Sequence, residues 1–361
     1  MAWTRKLPSG RFQGLYRDAT GRTRTTGTFA RKGDARDAAD DQEAGIRKGS
    51  WVDPELRRIV FEDYARKWLE TKGNVRPRTR INVEGRLRNH VLPAFGDVLI
   101  RAIEPADVRG WVTGLSAGGL APSTVKATYL TFSQIMRTAE VDRLIVRSPC
   151  IGIELPAEES HEEMRFLDPE QVTSLADNIS DRYRAAILSA AYTGLRAGEL
   201  WALKLPRVNL LKRRLEVVES LSEVRGKLVV GPTKTRNRRT VTLPSFLAEI
   251  IGEHVGRYPS RDGYVFTAAE GGAVRHHNFM RRHFYPAARE AGMPDGLRFH
   301  DLRHTCAAIL TAQGWNPKQI QMRLGHATIR TTLDRYGHLF EGHDQELLDR
   351  LDAFHDERKA R

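Results

Sequence analysis

Two stretches of the chain hold most of the side chains able to do chemistry. His300-Asp-Leu-Arg303-His304 is followed by Leu324-Gly-His326 and, ten residues further on, by Tyr336. Upstream, Thr-Gly-Leu-Arg-Ala-Gly-Glu places Arg196 between Gly194 and Gly198, with Glu199 three positions after it, and Gly-Pro-Thr-Lys-Thr-Arg-Asn-Arg-Arg offers Lys234. Two arginines, two or three histidines and a tyrosine make a poor metal site. His300 and His304 have the i, i+4 spacing of a zinc protease helix, but Asp301 stands where that pattern needs Glu, and the flanking cations would repel a metal. The same set suits an oxyanion that is held, attacked and released, which points to phosphate.

Moving a phosphodiester requires a clamp, a nucleophile and a proton for the leaving alkoxide. The guanidinium fork binds phosphate bidentately, and two arginines can neutralise the charge that builds on the non-bridging oxygens. Tyrosine titrates near pH ~10, so roughly a thousandth is phenolate at neutral pH. A cationic pocket favours the phenolate, and a nearby histidine can take its proton. The aryl phosphodiester keeps the bond energy, so a sugar hydroxyl can expel the phenol and rejoin the strand without ATP. His300 and Arg303, at i, i+3, share a helix face, and His304 joins or supports that face. Arg196, beside two glycines, suits a helix end where side chain and backbone approach an anion. Lys234 falls at an expected β-turn tip, from which a flexible ammonium can reach the leaving oxygen; Lys227, Arg236 and Arg238 are its neighbours in sequence.

The identity of the anion follows from the charge. The 361 residues carry a formal net charge of +13, and the sequence pI is about 9.9. Residues 1–33 hold eight Lys/Arg against Asp18, and residues 204–239 hold eleven against Glu216, Glu219 and Glu223. Such stripes are the footprint of a polyanion such as nucleic acid, whereas no basic amphipathic anchor points to a membrane. Hydrophobic residues make up 40% and are spread along the chain, as ordinary folded cores require, and the length suits two or three domains. Cys150 and Cys306 have no CxxC partner, so neither a disulfide framework nor a thiolate zinc site is expected. With no apolar signal core and no run of membrane-spanning length, a cytoplasmic location is expected.

The elements that must position the site can be read in outline. Strand-like pieces at Gly10 to Tyr16 and Arg22 to Phe29 flank the turn Asp18-Ala-Thr-Gly21, and a helix is expected over Lys32 to Ile46. From Ile59 the pattern turns helical: Phe61, Tyr64, Ala65, Trp68 and Leu69 mark a core-facing stripe. Five arginines follow between Arg76 and Arg88, Pro105 suits the first turn of a helix reaching Leu115, and Ser123 to Val141 forms another helix. An irregular, acidic linker runs through Ser148-Pro and Leu155 to Glu163. Asp168-Pro-Glu-Gln171 then reads as an N-cap, a proline at the first helical position and a capping-box glutamine. Helices dominate from there, except that Leu215, Val217, Leu228 to Val230 and Thr240 to Leu243 read as strands, with turns at Arg225-Gly226 and Arg236-Asn237. The expected fold is multidomain and mainly α: a small β+α N-terminal module, a helical domain, and a mixed α+β domain with a small antiparallel sheet.

In this order along the chain, Arg196, Lys234, His300, Arg303, His326 and Tyr336 resemble the catalytic set of the tyrosine recombinases of the phage integrase family, and Glu199 matches the acidic residue three positions after the first arginine. The resemblance implies an arm-type DNA-binding module at 1–55, a core-binding domain at 56–150 and a catalytic domain with its tail at 165–361. It implies that Arg196 and Arg303 clamp the scissile phosphate and that Tyr336 attacks it, leaving a 3′-phosphotyrosyl link. Lys234 would protonate the leaving oxygen, His300 would handle the tyrosine proton, and His326 would bond a non-bridging oxygen. No metal or cofactor is implied. The implied partners are double-stranded DNA at core and arm-type attachment sites, further copies in a homotetramer, a host DNA-bending protein and an excisionase-type directionality factor. The apolar stripe Leu339, Phe340, Leu347, Leu348, Leu351 and Phe354 fits a tail that docks on its own domain or on a neighbouring subunit. The two rivals are a catalytically silent DNA-binding regulator, against which the filled residue set speaks, and a type IB topoisomerase, against which the arm-like module and the tail speak.

Overall fold

The computed structural model describes residues 2–18, 20–49, 51, 58–157, 164–233 and 238–340, with 348, 349, 352, 355 and 356 from the C-terminal segment. The chain divides into two compact units, Met1–Ser160 and His161–Arg361. Lys234, the expected turn at Arg236-Asn237, the linker residues 158–163 and the tail residues Leu347, Leu351 and Phe354 lie outside the described residues.

The first unit opens with an antiparallel sheet of β1 (Trp3–Lys6), β2 (Phe12–Arg17) and β3 (Thr23–Phe29), followed by α1 (Lys32–Arg47). Strand β1, which the sequence pattern does not announce, pairs with β2 in a register that sets Trp3 opposite Leu15. Asp18 orders the β2–β3 turn: its carboxylate accepts from the Thr20 and Arg22 backbone and from the Arg24 guanidinium. These bonds, and above all one from the Thr20 hydroxyl, hold the carboxyl well below the usual carboxylate range. Ala35 and Ala39 of α1 are fully buried beside Leu15 and Tyr16, while Arg5, Lys6, Arg11, Arg17 and Arg22 stay exposed.

The helical part comprises α2 (Phe61–Glu70), α3 (Pro77–Arg86), a π-helical turn at Leu87–Val91, α4 (Leu92–Phe95), α5 (Pro105–Ala117) and α6 (Pro122–Val141). Prolines open α3, α5 and α6 in their first turns, where the missing N–H costs nothing. Phe132 of α6 is the hub of the core: its ring lies 4.8 Å from Phe95, 5.2 Å from Trp111 and 5.3 Å from Phe61.

The second unit begins with α7 (Pro169–Asn178), started as expected by the reciprocal capping box of Asp168 and Gln171. There follow α8 (Asp181–Thr193), the short α9 (Ala197–Trp201), β4 (Val208–Asn209), β5 (Arg214–Val217), β6 (Glu219–Val224), β7 (Lys227–Pro232), β8 (Arg239–Thr242) and α10 (Ser245–Arg257). The remainder is helical: α11 (His276–Phe279), a π-helical turn at Met280–Phe284, α12 (Tyr285–Glu290), α13 (Asp301–Ala312), α14 (Pro317–Leu324) and α15 (Ile329–Tyr336). One antiparallel sheet has the order β4-β5-β8, and β6 pairs with β7 as a hairpin. Arg225 and Gly226 both take positive φ (49° and 75°), the geometry of a two-residue hairpin turn. The core is built on α8, whose Ala185, Ala186, Ala190 and Ala191 are buried and allow α7 and α13 to pack closely. Among the described residues no helix is long and apolar enough to cross a membrane.

Because Phe132 touches three other rings, Phe132→Ala is expected to destabilise the helical core by about 3–5 kcal/mol. Denaturant unfolding followed by tryptophan fluorescence, with Trp68 and Trp111 in that core, measures it; a loss under about 1 kcal/mol would move the hub elsewhere.

Candidate active site

Helix α8 ends at Gly194, in the left-handed conformation (φ 67°) that a residue with a Cβ adopts only at a cost. Space forbids a side chain there as well: a Cβ would lie 2.3 Å from Leu324 Cδ2 and 3.2 Å from Cys306 Sγ. The chain then reverses into α9, with Arg196 at its N-cap. Gly198 lets α9 sit directly on β6, since a Cβ there would meet the Leu221 carbonyl at 2.7 Å. Glu199, buried, receives the Arg196 backbone N–H at 3.0 Å and its guanidinium at 2.9 Å. The Arg196 side chain keeps 22% of its surface open.

Aromatic packing ties this turn to the second motif. Trp201, closing α9, stacks on Phe299 at 5.7 Å, and Phe299 immediately precedes His300. His300 is the N-cap of α13, so Arg303 and His304 fall in the first turn of that helix. Asp301, fully buried, accepts from the Arg298 backbone and guanidinium and fixes the entry.

Arg303 is 2% exposed. It donates to the carbonyls of Gly194 and Leu324, which lie at the C-terminal ends of α8 and α14. Helix C-termini carry partial negative charge, so they suit a cation. Burial, with Arg196 nearby, pushes Arg303 down to about 9, and it remains a cation at neutral pH.

Leu324 is followed by a left-handed Gly325 (φ 68°) and then by His326. The His326 Nδ1 bonds Thr332 Oγ1 at 2.8 Å, and its ring lies parallel to that of Tyr336 at 6.2 Å. Thr332 and Tyr336 are one turn apart on α15. The Tyr336 hydroxyl meets His304 Nδ1 at 2.9 Å, and the residue is fully buried against Cys306, Ala307, Ile320 and Leu324. His300 stands edge-on to His304 at 4.9 Å. The structure therefore gathers Arg196, His300, Arg303, His326 and Tyr336 in one place; Lys234 is the remaining member of the sequence set and lies outside the described residues.

The charges are one-sided. Burial pushes His304 down to about 4 and His326 to about 3. His300, exposed at the surface, is lowered to about 4 by partial desolvation and by neighbouring His304 and Arg303, and Arg196 and Arg335 add to the shift at His300 and His326. All three are neutral imidazoles near pH 7. Burial raises Tyr336, while Arg303 and Arg335 pull it back. Burial also raises Glu199, but Arg239 and Arg196 outweigh it and hold the carboxyl at about 2. The arrangement is a cationic pocket with a buried phenol hydrogen-bonded to a neutral imidazole. Among the described residues no cluster of three His, Cys, Asp or Glu could hold a metal ion.

Sequence reasoning put His304 in a supporting place and gave no role to Thr332 or Arg239. The i, i+4 spacing of Thr332 and Tyr336 was a signal for the first. For the second, the signal was strand alternation, because Arg239 lies on the inward face with Val241 and Leu243.

Residues 165–343 match the phage integrase family, and residues 60–116 match the N-terminal SAM-like domain of phage integrases. The chain is 31% identical over 354 residues to a putative prophage phiRv2 integrase of Mycobacterium tuberculosis, covering 95% of this chain and 92% of that one. Its fold resembles that of the Tn1549 transposon integrase in complex with a circular intermediate DNA, with TM-score 0.71, 21% identity and coverage of 81% of this chain and 99% of the other. It also resembles a lambda integrase tetramer bound to a Holliday junction, with TM-score 0.60, 17% identity and coverage of 92% and 94%.

Gly194→Ala combines left-handed strain with a clash, so an expected loss of about 2–5 kcal/mol in this unit should appear in denaturant unfolding. An unchanged midpoint would show that the α8 turn can relax. A second expectation concerns pH. His304 and His326, both buried, have folded pKa values below the 6.5 of the free side chain, so the unfolded chain takes up protons first on acidification. Their contribution to stability is complete above pH ~6.5 and is lost as pH falls toward ~4, by at most about 1.4 kcal/mol per pH unit for each histidine. Unfolding midpoints between pH 7 and 4.5 should decline less steeply in His326→Gln than in the native chain; equal slopes would contradict burial of His326 as a source.

Proposed function

The chain belongs to the phage integrase family, and on that premise we propose how its site works. It is a site-specific tyrosine recombinase that cuts and rejoins DNA. Arg196 and Arg303 clamp the scissile phosphate, and His326 bonds a non-bridging oxygen through the ring nitrogen not held by Thr332. The Tyr336 hydroxyl oxygen forms a bond to phosphorus as the bond from phosphorus to the 5′-oxygen breaks. Lys234 supplies the proton for that oxygen, leaving a 3′-phosphotyrosyl link and a free 5′-hydroxyl. The tyrosine proton passes to His304, its hydrogen-bonded neighbour, with His300 edge-on to it as the next group toward the arginines. Attack by a 5′-hydroxyl of the partner duplex reverses the step and completes exchange. Because Tyr336 is fully buried, α15 has to shift before the hydroxyl reaches the phosphate.

The observation that carries this reading is a phenol bonded to a neutral imidazole beside two arginines. A regulator that only binds DNA has no need to bury such a pair, since phosphate binding alone is served by surface cations. The rest of the chain supplies the grip. Residues 1–55 form an arm-type DNA-binding module with its basic sheet face, residues 56–150 form the core-binding domain, and residues 165–361 form the catalytic domain and tail. Four copies assemble on paired core sites in the cytoplasm of a bacterial host. A host bending protein aids bridging between arm and core sites, and a directionality factor favours excision.

The test uses a duplex spanning the junction between the encoding element and its chromosome, nicked beside the scissile phosphate so that the cut strand is lost. The native chain should form a covalent protein–DNA adduct visible on a denaturing gel, and Tyr336→Phe should form none while binding the same duplex. No adduct with the native chain would leave the silent regulator. Adducts on any sequence, without exchange between sites, would leave the topoisomerase.

A further inference from the structure

Arg239 opens β8, the strand that follows the Lys234 segment, and sits opposite Val217 of β5. Its side chain is 9% exposed, and each of its three nitrogens donates a hydrogen bond. Nη2 and Nη1 donate to the two carboxylate oxygens of Glu199 at 2.7 Å and 3.2 Å, and Nε donates to the carbonyl of Arg323 at 2.9 Å. The side chain also packs against Gly325: a Cβ on that residue would meet Arg239 Nη1 at 2.9 Å and Cδ at 3.0 Å. One side chain thus touches the carboxylate that orients Arg196 and the turn that delivers His326.

We propose that Arg239 is a positioning residue for cleavage, acting on the phosphate through Arg196 and His326 rather than touching it. Glu199 is the shared element. Its Oε1 accepts from both Arg196 Nη1 and Arg239 Nη1, and its Oε2 accepts from the Arg196 backbone and from Arg239 Nη2. Without Arg239, the carboxylate would be free to turn and take both arms of Arg196, drawing that guanidinium from the anion. With Arg239 in place, Glu199 is saturated on one edge and Arg196 keeps an open one. The backbone contact acts in parallel: the Arg323 carbonyl and Gly325 lie on either side of Leu324, whose own carbonyl is bound by Arg303. Arg239 and Arg303 therefore grip the same helix end from two sides. A lysine carries the charge but has no planar fork, so it cannot reproduce the paired bonds to Glu199 together with the third bond to the Arg323 carbonyl.

The inference rests on the site being a phosphate clamp, and the experiment separates the two ideas. Native chain, Arg239→Met, Arg239→Lys and Arg196→Ala are compared in adduct formation on the nicked duplex. The same series is run on a duplex whose scissile phosphate is a methylphosphonate, a neutral group that no longer needs a guanidinium to cancel its charge. Arg239→Met should slow cleavage of the ordinary duplex by about 10- to 100-fold, as misplaced catalytic groups do, with little change in DNA affinity. Arg239→Lys should fall between native and Met. On methylphosphonate the deficits of Arg239→Met and Arg196→Ala should both shrink. The same deficit for Arg239→Met on both substrates, with Arg196→Ala rescued, would reduce Arg239 to a general structural ion pair and overturn the proposal, as would native-like cleavage. Failure of the native chain to form an adduct would instead remove the clamp reading itself. If Arg239→Met does not fold by thermal melting, Arg239→Lys carries the comparison alone, because it keeps the charge and breaks the bridge.

Discussion

A guanidinium buried between the ends of two helices is the constraint on which the catalytic unit depends. Taking Arg303 out of water is costly, and such a charge persists only where its donors are met and its charge is opposed. The carbonyls of Gly194 and Leu324 meet the first need, and their place at helix C-termini helps with the second. The left-handed Gly194 and Gly325 are what turn those carbonyls toward it. Each glycine also starts the short connection to a further residue of the candidate site, Arg196 in one case and His326 in the other. The cation and the two turns thus specify one another.

A second consequence concerns charge balance. Arg196, Arg239, Arg303 and Arg335 all bear on His326, while Glu199 is the carboxylate that contacts the first two. Histidines in such a field, with His304 and His326 also buried, stay neutral, so they can accept protons and hydrogen bonds. The excess positive charge is already arranged before an anion arrives. Preorganised charge of this kind lowers the cost of forming a more highly charged transition state, because the arginines need not be brought together at that moment. The stability lost in holding like charges together is offset by aromatic and alanine-rich packing around α8 and Trp201.

The first unit uses different physics. Its helices are held by a cluster of rings around Phe132, and its sheet by a short turn locked by Asp18. Both keep basic side chains outward. Among the described residues, neither holds a buried charge beyond Asp18, whose partners are all local.

What the sequence determined by itself is the local part. Helix starts at Asp168-Pro169 and Pro105, the Arg225-Gly226 turn and the apolar stripe of α2 all depend on residues within a turn or two of each other, so spacing and side-chain chemistry are enough. The residue types of the site were legible for the same reason, and their order along the chain carried the family resemblance. Only the tertiary structure decided which partner each of them has. Tyr336 faces His304 across 32 positions of chain, and Arg239 reaches Glu199 across 40 and the Arg323 carbonyl across 84. Strand β1 escaped notice because a short, partly polar edge strand is stabilised mainly by the neighbour it pairs with. In each case the missing information is a contact between distant segments, whose energy appears only once the chain has closed the loop between them.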